Sequence, residues 1–338
     1  MPTPSDRRGF LKSTLASGAL AAMSGEAIAA QQDSSDGVPT RPLGDSGARV
    51  SIVALGGHHI GQVAKKDGEA AAIRLMHQAI DQGVTFFDNC WDYHEGYSEE
   101  IMGKAIKDRR DKVFLMTKVC DRDYDGAKKM LDQSLRRLQT DYLDLWQFHE
   151  MVYDNDPDWV FEKDGIRAAR EAKEAGRVKH IGFTGHKDPS IHLKMLGKPH
   201  DWDSAQMPNN LCDYFFRSFV HNVVPQCRQQ GVGVIGMKGM GGGRGNLLQS
   251  GLATPQECLR YCLSQPVSSH VVGMMNERDL MEAVEVARGF TPLSQEELWE
   301  LLAKVRDASA DGRHELFKTS KNFDGPYHRE QHGFAVEG

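Results

Sequence analysis

The sequence predicts an α/β fold of the (β/α)8 TIM-barrel class, and three observations carry that reading. Short apolar runs recur eight times between residues 51 and 272, each of the first seven separated from the next by a helical pattern or a turn-rich stretch. The length, 338 residues, fits one such barrel with added segments at both ends. Asp88, Tyr93, Lys118 and His149 each stand at or just beyond the end of an apolar run. Parallel barrels gather their active-site side chains at that end of their strands.

The chain divides in order. In residues 1–30, the basic stretch Arg7-Arg8-Gly9-Phe10-Leu11-Lys12 precedes an Ala-rich, mildly apolar segment ending at Ala29-Ala30. A basic region, an apolar region and small residues, in that order, read as an export signal. The paired arginines are similar to signals read by the twin-arginine translocation machinery. The expectation is an exported, periplasmic protein cleaved near Ala29. Ser, Gly and Glu26 interrupt the apolar run short of a full span, so no permanent membrane anchor is expected. Residues 31–40 read as a polar linker.

The barrel is assigned to residues 41–310. A hairpin comes first, with Asp45-Ser46-Gly47 as its turn. The eight strand signals are 51–55, 84–87, 113–116, 142–148, 179–184, 204–207, 232–237 and 270–272. Ile73, Met76, His77 and Ile80 have helical spacing after the first, and Leu131, Leu135 and Leu138 mark the helix after the third. A doubly wound open sheet is the structural alternative, but Gly56-Gly57-His58-His59-Ile60-Gly61 does not match its G-x-G-x-x-G fingerprint. Beyond the eighth unit, Leu298, Leu301, Leu302 and Val305 mark an extra helix. The tail, 311–338, is irregular and carries Phe317, Phe323, Tyr327, His328 and Phe334, a set placed to cover the barrel mouth.

Composition excludes some classes. A net charge of −6 without a basic, aromatic-interleaved stripe argues against nucleic acid as a partner. The six cysteines lack CxxC or cluster spacing, so they read as buried free thiols, and no metal site is expected.

An acid, a phenol, an amine and an imidazole in one pocket suit proton transfer to oxygen. Reduction of a carbonyl builds negative charge on oxygen and needs a donor within hydrogen-bond reach. Tyr93 is the natural donor. Lys118 beside it is expected to favour the phenolate, Asp88 to hold that ammonium, and His149 to orient the carbonyl.

The segment Gly83-Val84-Thr85-Phe86-Phe87-Asp88-Asn89-Cys90-Trp91-Asp92-Tyr93, continuing to Ser98-Glu99-Glu100-Ile101-Met102-Gly103, resembles the aldo-keto reductase superfamily. Met116-Thr117-Lys118 and Asp144-Leu145-Trp146-Gln147-Phe148-His149 complete that family's four catalytic positions, and the resemblance extends over nearly all of residues 41–290. It implies an NAD(P)H-dependent oxidoreductase acting on an aldehyde, ketone or sugar. By the same resemblance Thr184, Gly185 and Gln206 hold the nicotinamide amide, and Tyr214 stacks on its ring, with Phe215 as the competing aromatic. Gly239, Gly241, Gly242 and Arg244, with Lys238, resemble the loop that covers the pyrophosphate, where exposed backbone N–H groups attract anions. The family's Lys and Arg for a 2′-phosphate are replaced by Gly273 and Asp279. Asn276 and Arg278 are the substitutes, so NADP is the expected cofactor and NAD an alternative. His58, Trp91 and Glu150 are substrate candidates from the mouth-side loops.

Two other classes compete. A metal hydrolase could use His58 and His59 with His149 and Asp88, but His180 lies at the wrong end of its strand for such a ligand set. A non-turnover nucleotide-binding or regulatory protein could keep the same barrel, and an intact tetrad argues against it.

Overall fold

The computed structural model describes residues 37–242, 245–321 and 325–333. The export signal, its cleavage point near Ala29, Arg244, Phe323 and Phe334 lie outside the described residues.

A two-stranded antiparallel hairpin comes first, β1 (Thr40–Pro42) against β2 (Arg49–Ser51). The barrel strands are β3 (Val53–Gly56), β4 (Phe86–Asp88), β5 (Phe114–Val119), β6 (Leu143–Met151), β7 (Val178–Gly185), β8 (Ser204–Pro208), β9 (Gly233–Met237) and β10 (Ser269–Val272). All eight pair in parallel in chain order, and β10 closes on β3 through His270 opposite Val53. Both faces of these strands are covered, which is why they read as continuous apolar runs.

Ala54, Phe86, Met116, Leu145 and Ile235 fill the barrel interior, and Leu43 and Val50 of the hairpin join the same cluster. The hairpin sits at the N-terminal end of the strands, where Asp45 N donates to Gly231 O at 2.8 Å just before β9. The floor is therefore plugged by side chains, each fully buried one stabilising by about 1.5–3 kcal/mol. The opposite, C-terminal end is left for chemistry.

Around the barrel, the helix Glu69–Asp81 buries Ala72, Leu75, Met76, Ala79 and Ile80; of the four residues read from sequence, Met76 and Ile80 are buried, and Ile73 and His77 are half-buried. The helix Gly57–Asp67 was not anticipated, because glycines and histidines are poor helix formers and mask its period. It starts where β3 meets β4. A Cβ on Gly57 would stand 2.6 Å from Asp88 O, so only glycine permits this close approach. No helix among the described residues is long and apolar enough to cross a membrane.

The extra helix, Gln295–Ser309, opens on a capping box between Ser294 and Glu297 and buries Leu301, Leu302 and Val305 against Leu211, Cys258 and Tyr261. After it the chain is pinned by Lys318. Its Nζ donates to Asp213 at 2.6 Å, to Glu315 at 3.0 Å and to Phe216 O at 2.8 Å, all within a buried cluster. The short helix Pro326–Gln331 then lies at the barrel mouth, where the Tyr327 hydroxyl and the Gln331 amide both donate to Asp92 Oδ1.

Candidate active site

The four strand-end residues converge. Lys118 Nζ donates to Asp88 Oδ1 and to Asn89 O, each at 2.7 Å, and reaches Tyr93 Oη at 3.5 Å. Asp88 is held on its other oxygen by Gln206 Nε2 at 2.8 Å. Tyr93 begins a tight 3-10 turn, Tyr93–Gly96, in which His94 and Glu95 take left-handed φ values of 56° and 62°. Such angles cost energy for residues with a Cβ and are held by the surrounding structure. Here His94 Nε2 bonds His58 O at 2.8 Å, tying the turn to the helix after β3.

His149 has two different sides. Its Nδ1 faces the Cys90 thiol at 3.3 Å and the Cys120 thiol at 3.7 Å. Its Nε2 faces Glu150 Oε2 at 3.8 Å. Burial pushes the Cys90 thiol up, so it stays protonated. With that thiol as donor to Nδ1, the hydrogen of the neutral imidazole stands on Nε2, and His149 is part of the cavity wall. Arg122, fully buried, holds the backbone beneath. It donates to Cys120 O at 2.7 Å, to His149 O, to Glu150 O at 3.2 Å and to the Asp156 carboxylate. Nothing in the local sequence around Arg122 signals that role.

Protonation follows from burial and neighbours. Burial, with Asp88 and Cys90 adding to it, pushes the Tyr93 phenol well above its usual value. The expected drift toward phenolate is therefore corrected: Asp88 offsets the nearby ammonium, and the low-dielectric setting disfavours the anion. Burial keeps His149 well below its ordinary range, so the imidazole is neutral. For Glu150 burial works upward, but its neighbours, His186 first and then His149 and Lys238, together outweigh it and hold the carboxyl well below the usual range. His186 is itself lowered by burial. An ionised carboxylate only accepts, so Glu150 takes its hydrogen bond from the Nε2–H of His186. His328 of the tail stands 3.6 Å from the other Glu150 oxygen. Burial, then the charge of His59, lowers His58 to about 4.

These groups line one cavity of about 610 Å³ at the barrel mouth, with Tyr93, Lys118, His149, Glu150 and His58 in its wall. Thr184, Gln206, Lys238, Gly239 and Gly242 line the same space. Gln206 Oε1 is buried with no hydrogen-bond partner in the fold, an acceptor held in place by the bond its amide nitrogen makes to Asp88. Lys238, at φ 58°, is followed by Gly241 and Gly242 at 81° and 102°, a glycine-rich turn closed by Gly241 N donating to Lys238 O at 3.0 Å, the type of backbone that can form an anion-binding nest. A carboxamide donor suits the orphaned oxygen and an anion suits the loop, so this donor set fits a nicotinamide nucleotide.

Other candidates go elsewhere. Trp91 turns away, its indole N–H donating to Gln133 at 2.7 Å while Arg137 covers its ring. Tyr214 packs on Phe215 and His221 rather than on the cavity. Asn276 caps the helix Glu277–Arg288 by accepting from Asp279 N, and Arg278 is exposed and paired with Glu282 at 3.1 Å. Gly185 packs on Met151, and Gly241 on Leu247 and His314. A family resemblance places such positions on a loop but does not fix where their side chains point. No local sequence signal marks Cys90 and Cys120 at His149 or His186 at Glu150, because only barrel closure brings them together; the tail's His328 joins Glu150 at the mouth.

The chain matches the model of the "Aldo/keto reductase family" over residues 53–250. Among curated relatives, the oxidoreductase YqkF of Bacillus subtilis is 31% identical over 51% of this chain and 56% of its own length. L-galactose dehydrogenase of Arabidopsis thaliana is 29% identical over 59% of this chain and 64% of its own length. The chain thus spans less than two thirds of either relative. Among solved structures, the holo form of aldo-keto reductase AKR11C1 from Bacillus halodurans superposes with a TM-score of 0.66 at 26% identity, covering 82% of this chain and 99% of that one.

Proposed function

The chain belongs to the aldo/keto reductase family, and on that premise we propose that it is an NADP-dependent oxidoreductase that reduces a small aldehyde, ketone or sugar carbonyl, or oxidises the alcohol. The observation that carries this reading is the protonated Tyr93 phenol, 3.5 Å from Lys118 and facing the same cavity as the Nε2 side of His149.

The nucleotide, when bound, supplies hydride to the carbonyl carbon. Tyr93 delivers a proton to the carbonyl oxygen, and Lys118, fixed by Asp88, stabilises the phenolate that this leaves. The Nε2–H of His149 donates to the same oxygen and sets its direction. Thr184 and the free oxygen of Gln206 hold the carboxamide, and the Lys238–Gly242 loop holds the pyrophosphate. Glu150, His186 and His328 present polar atoms suited to a hydroxylated substrate.

NADP is favoured over NAD by the family and by solved relatives. One reductase of similar fold from Klebsiella pneumoniae is described in complex with NADPH. The order of residues 5–30 supports twin-arginine export to the periplasm, with nucleotide bound before transport. A screen of aldehydes, ketones and aldoses with NADPH and NADH tests the whole reading. Nucleotide oxidation that disappears in Tyr93→Phe is expected. No turnover with either nucleotide across the panel overturns it, and finding the mature chain in the cytoplasmic fraction overturns the export proposal.

A further inference from the structure

We propose that Cys90, Cys120 and His149 Nδ1 form a binding site for one thiophilic metal ion of the Zn²⁺ or Cd²⁺ type, on the side of His149 opposite the substrate cavity. The proposal stands on the geometry of three side chains and does not depend on carbonyl reduction.

The three ligand atoms lie within 4.8 Å of one another, and no other group of three or more such residues among the described ones meets that condition. A tetrahedral ion with sulfur at about 2.3 Å and nitrogen at about 2.0–2.1 Å requires sulfur-to-nitrogen separations of about 3.6 Å. The observed separations, 3.3 Å for Cys90 and 3.7 Å for Cys120, bracket that value. Both sulfur-to-nitrogen separations thus match those of an occupied site, and the two sulfurs lie within 4.8 Å of each other.

The frame is already held. Cys90 N donates to Asn89 Oδ1 at 2.9 Å, and Trp91 N to Lys118 O at 3.2 Å. Arg122 fastens the carbonyls of both Cys120 and His149. Outer contacts of this kind orient ligands and sharpen affinity. Two sulfurs and an imidazole select a soft d10 ion over a hard one.

Charge also balances. A divalent ion enters, both thiols release their protons to solvent, and two thiolates bind. The charge of this buried pocket is therefore unchanged, which spares the cost of an uncompensated buried ion. The ion occupies Nδ1, where the thiol hydrogen otherwise sits, and leaves the hydrogen on Nε2 in place. The two thiols and the ion are alternative occupants of one nitrogen. The other four thiols, Cys212, Cys227, Cys258 and Cys262, are buried and belong to no such group among the described residues.

The test is a Cd²⁺ titration of the full chain under a non-chelating phosphine reductant. One ion per chain by native mass spectrometry is expected, with a sulfur-to-cadmium charge-transfer band and release of two protons. Cys90→Ser and Cys120→Ser should each weaken binding at least about tenfold, as losing a ligand costs no less than losing an outer partner. Cys227→Ser should keep the band. Far-UV circular dichroism checks that each variant folds. A shift of the His149 Nδ1 resonance in the unsubstituted protein reads nitrogen ligation without any substitution. Equal Cd²⁺ affinity in the double variant Cys90→Ser/Cys120→Ser, an unmoved Nδ1 resonance, or a Cys90–Cys120 disulfide that persists in reductant would each overturn the site.

Discussion

Two lysines in this chain are buried against carboxylates, and they differ in what surrounds the third N–H. Lys318 has Asp213, Glu315 and the Phe216 carbonyl, all at 3.0 Å or less, and no opening to the cavity. Lys118 has Asp88 and the Asn89 carbonyl at 2.7 Å, but its remaining contact is a long 3.5 Å to a phenol in the cavity wall. The first arrangement closes the fold under the tail. The second leaves its charge directed at a hydroxyl that can gain and lose a proton. Equal burial therefore does not mean equal role; the lysine that is not fully engaged is the one proposed to act in proton transfer.

The largest effect expected is on Tyr93. Tyr93→Phe should lower kcat for carbonyl reduction by about 10²–10⁴-fold, the usual contribution of a positioned proton donor. Nucleotide binding, read by fluorescence quenching, should survive. A loss of only a few fold would break the contrast between the two lysines at its reactive end. Next, Lys318→Met strands two buried carboxylates and should cost about 3–5 kcal/mol in chemical denaturation. Activity per folded molecule should be unchanged, whereas Lys118→Met should remove it even where the protein stays folded.

A pH experiment sharpens the structural end. Burial raises Glu315 from 4.5 to about 7. A carboxyl with a raised folded-state value binds protons more tightly when folded, so it favours the native state at low pH. Stability should fall as pH rises from about 4.5 through about 7, and Glu315→Gln should flatten that slope in denaturation curves. The smallest effect is at the tail: Asp92→Asn removes a charged acceptor shared by Tyr327 and Gln331. Amide exchange in 326–331 should speed up by about tenfold, the equivalent of about 1.4 kcal/mol, with global stability little changed.

Much of the fold was legible because parallel strands buried on both faces leave unbroken apolar runs. Phe86-Phe87 before Asp88 and Leu145-Trp146 before His149 announce both a strand and its functional end. The helix Gly57–Asp67 escaped, because its opening glycine serves a tight contact with Asp88 rather than helix propensity. Trp91, Tyr214, Asn276 and Arg278 take positions that the sequence alone does not specify, for one shared reason. A position a few residues past a strand is in a loop, and loop side chains point where their own hydrogen bonds and packing send them. The Gln133 acceptor for Trp91 and the Asn276 cap are such local preferences.

The sequence by itself determined the barrel, its order and the four polar residues at the ends of successive strands, because period and strand-end position are local properties. Only the tertiary structure decided what those residues feel. Burial holds the Tyr93 phenol protonated against the pull of Lys118, and Asp88 divides its oxygens between Lys118 and Gln206. Closure of three neighbouring strands sets two thiols from distant positions against one nitrogen of His149. Proton affinity and ligand geometry depend on distance and dielectric in space, and those exist only once the barrel has closed.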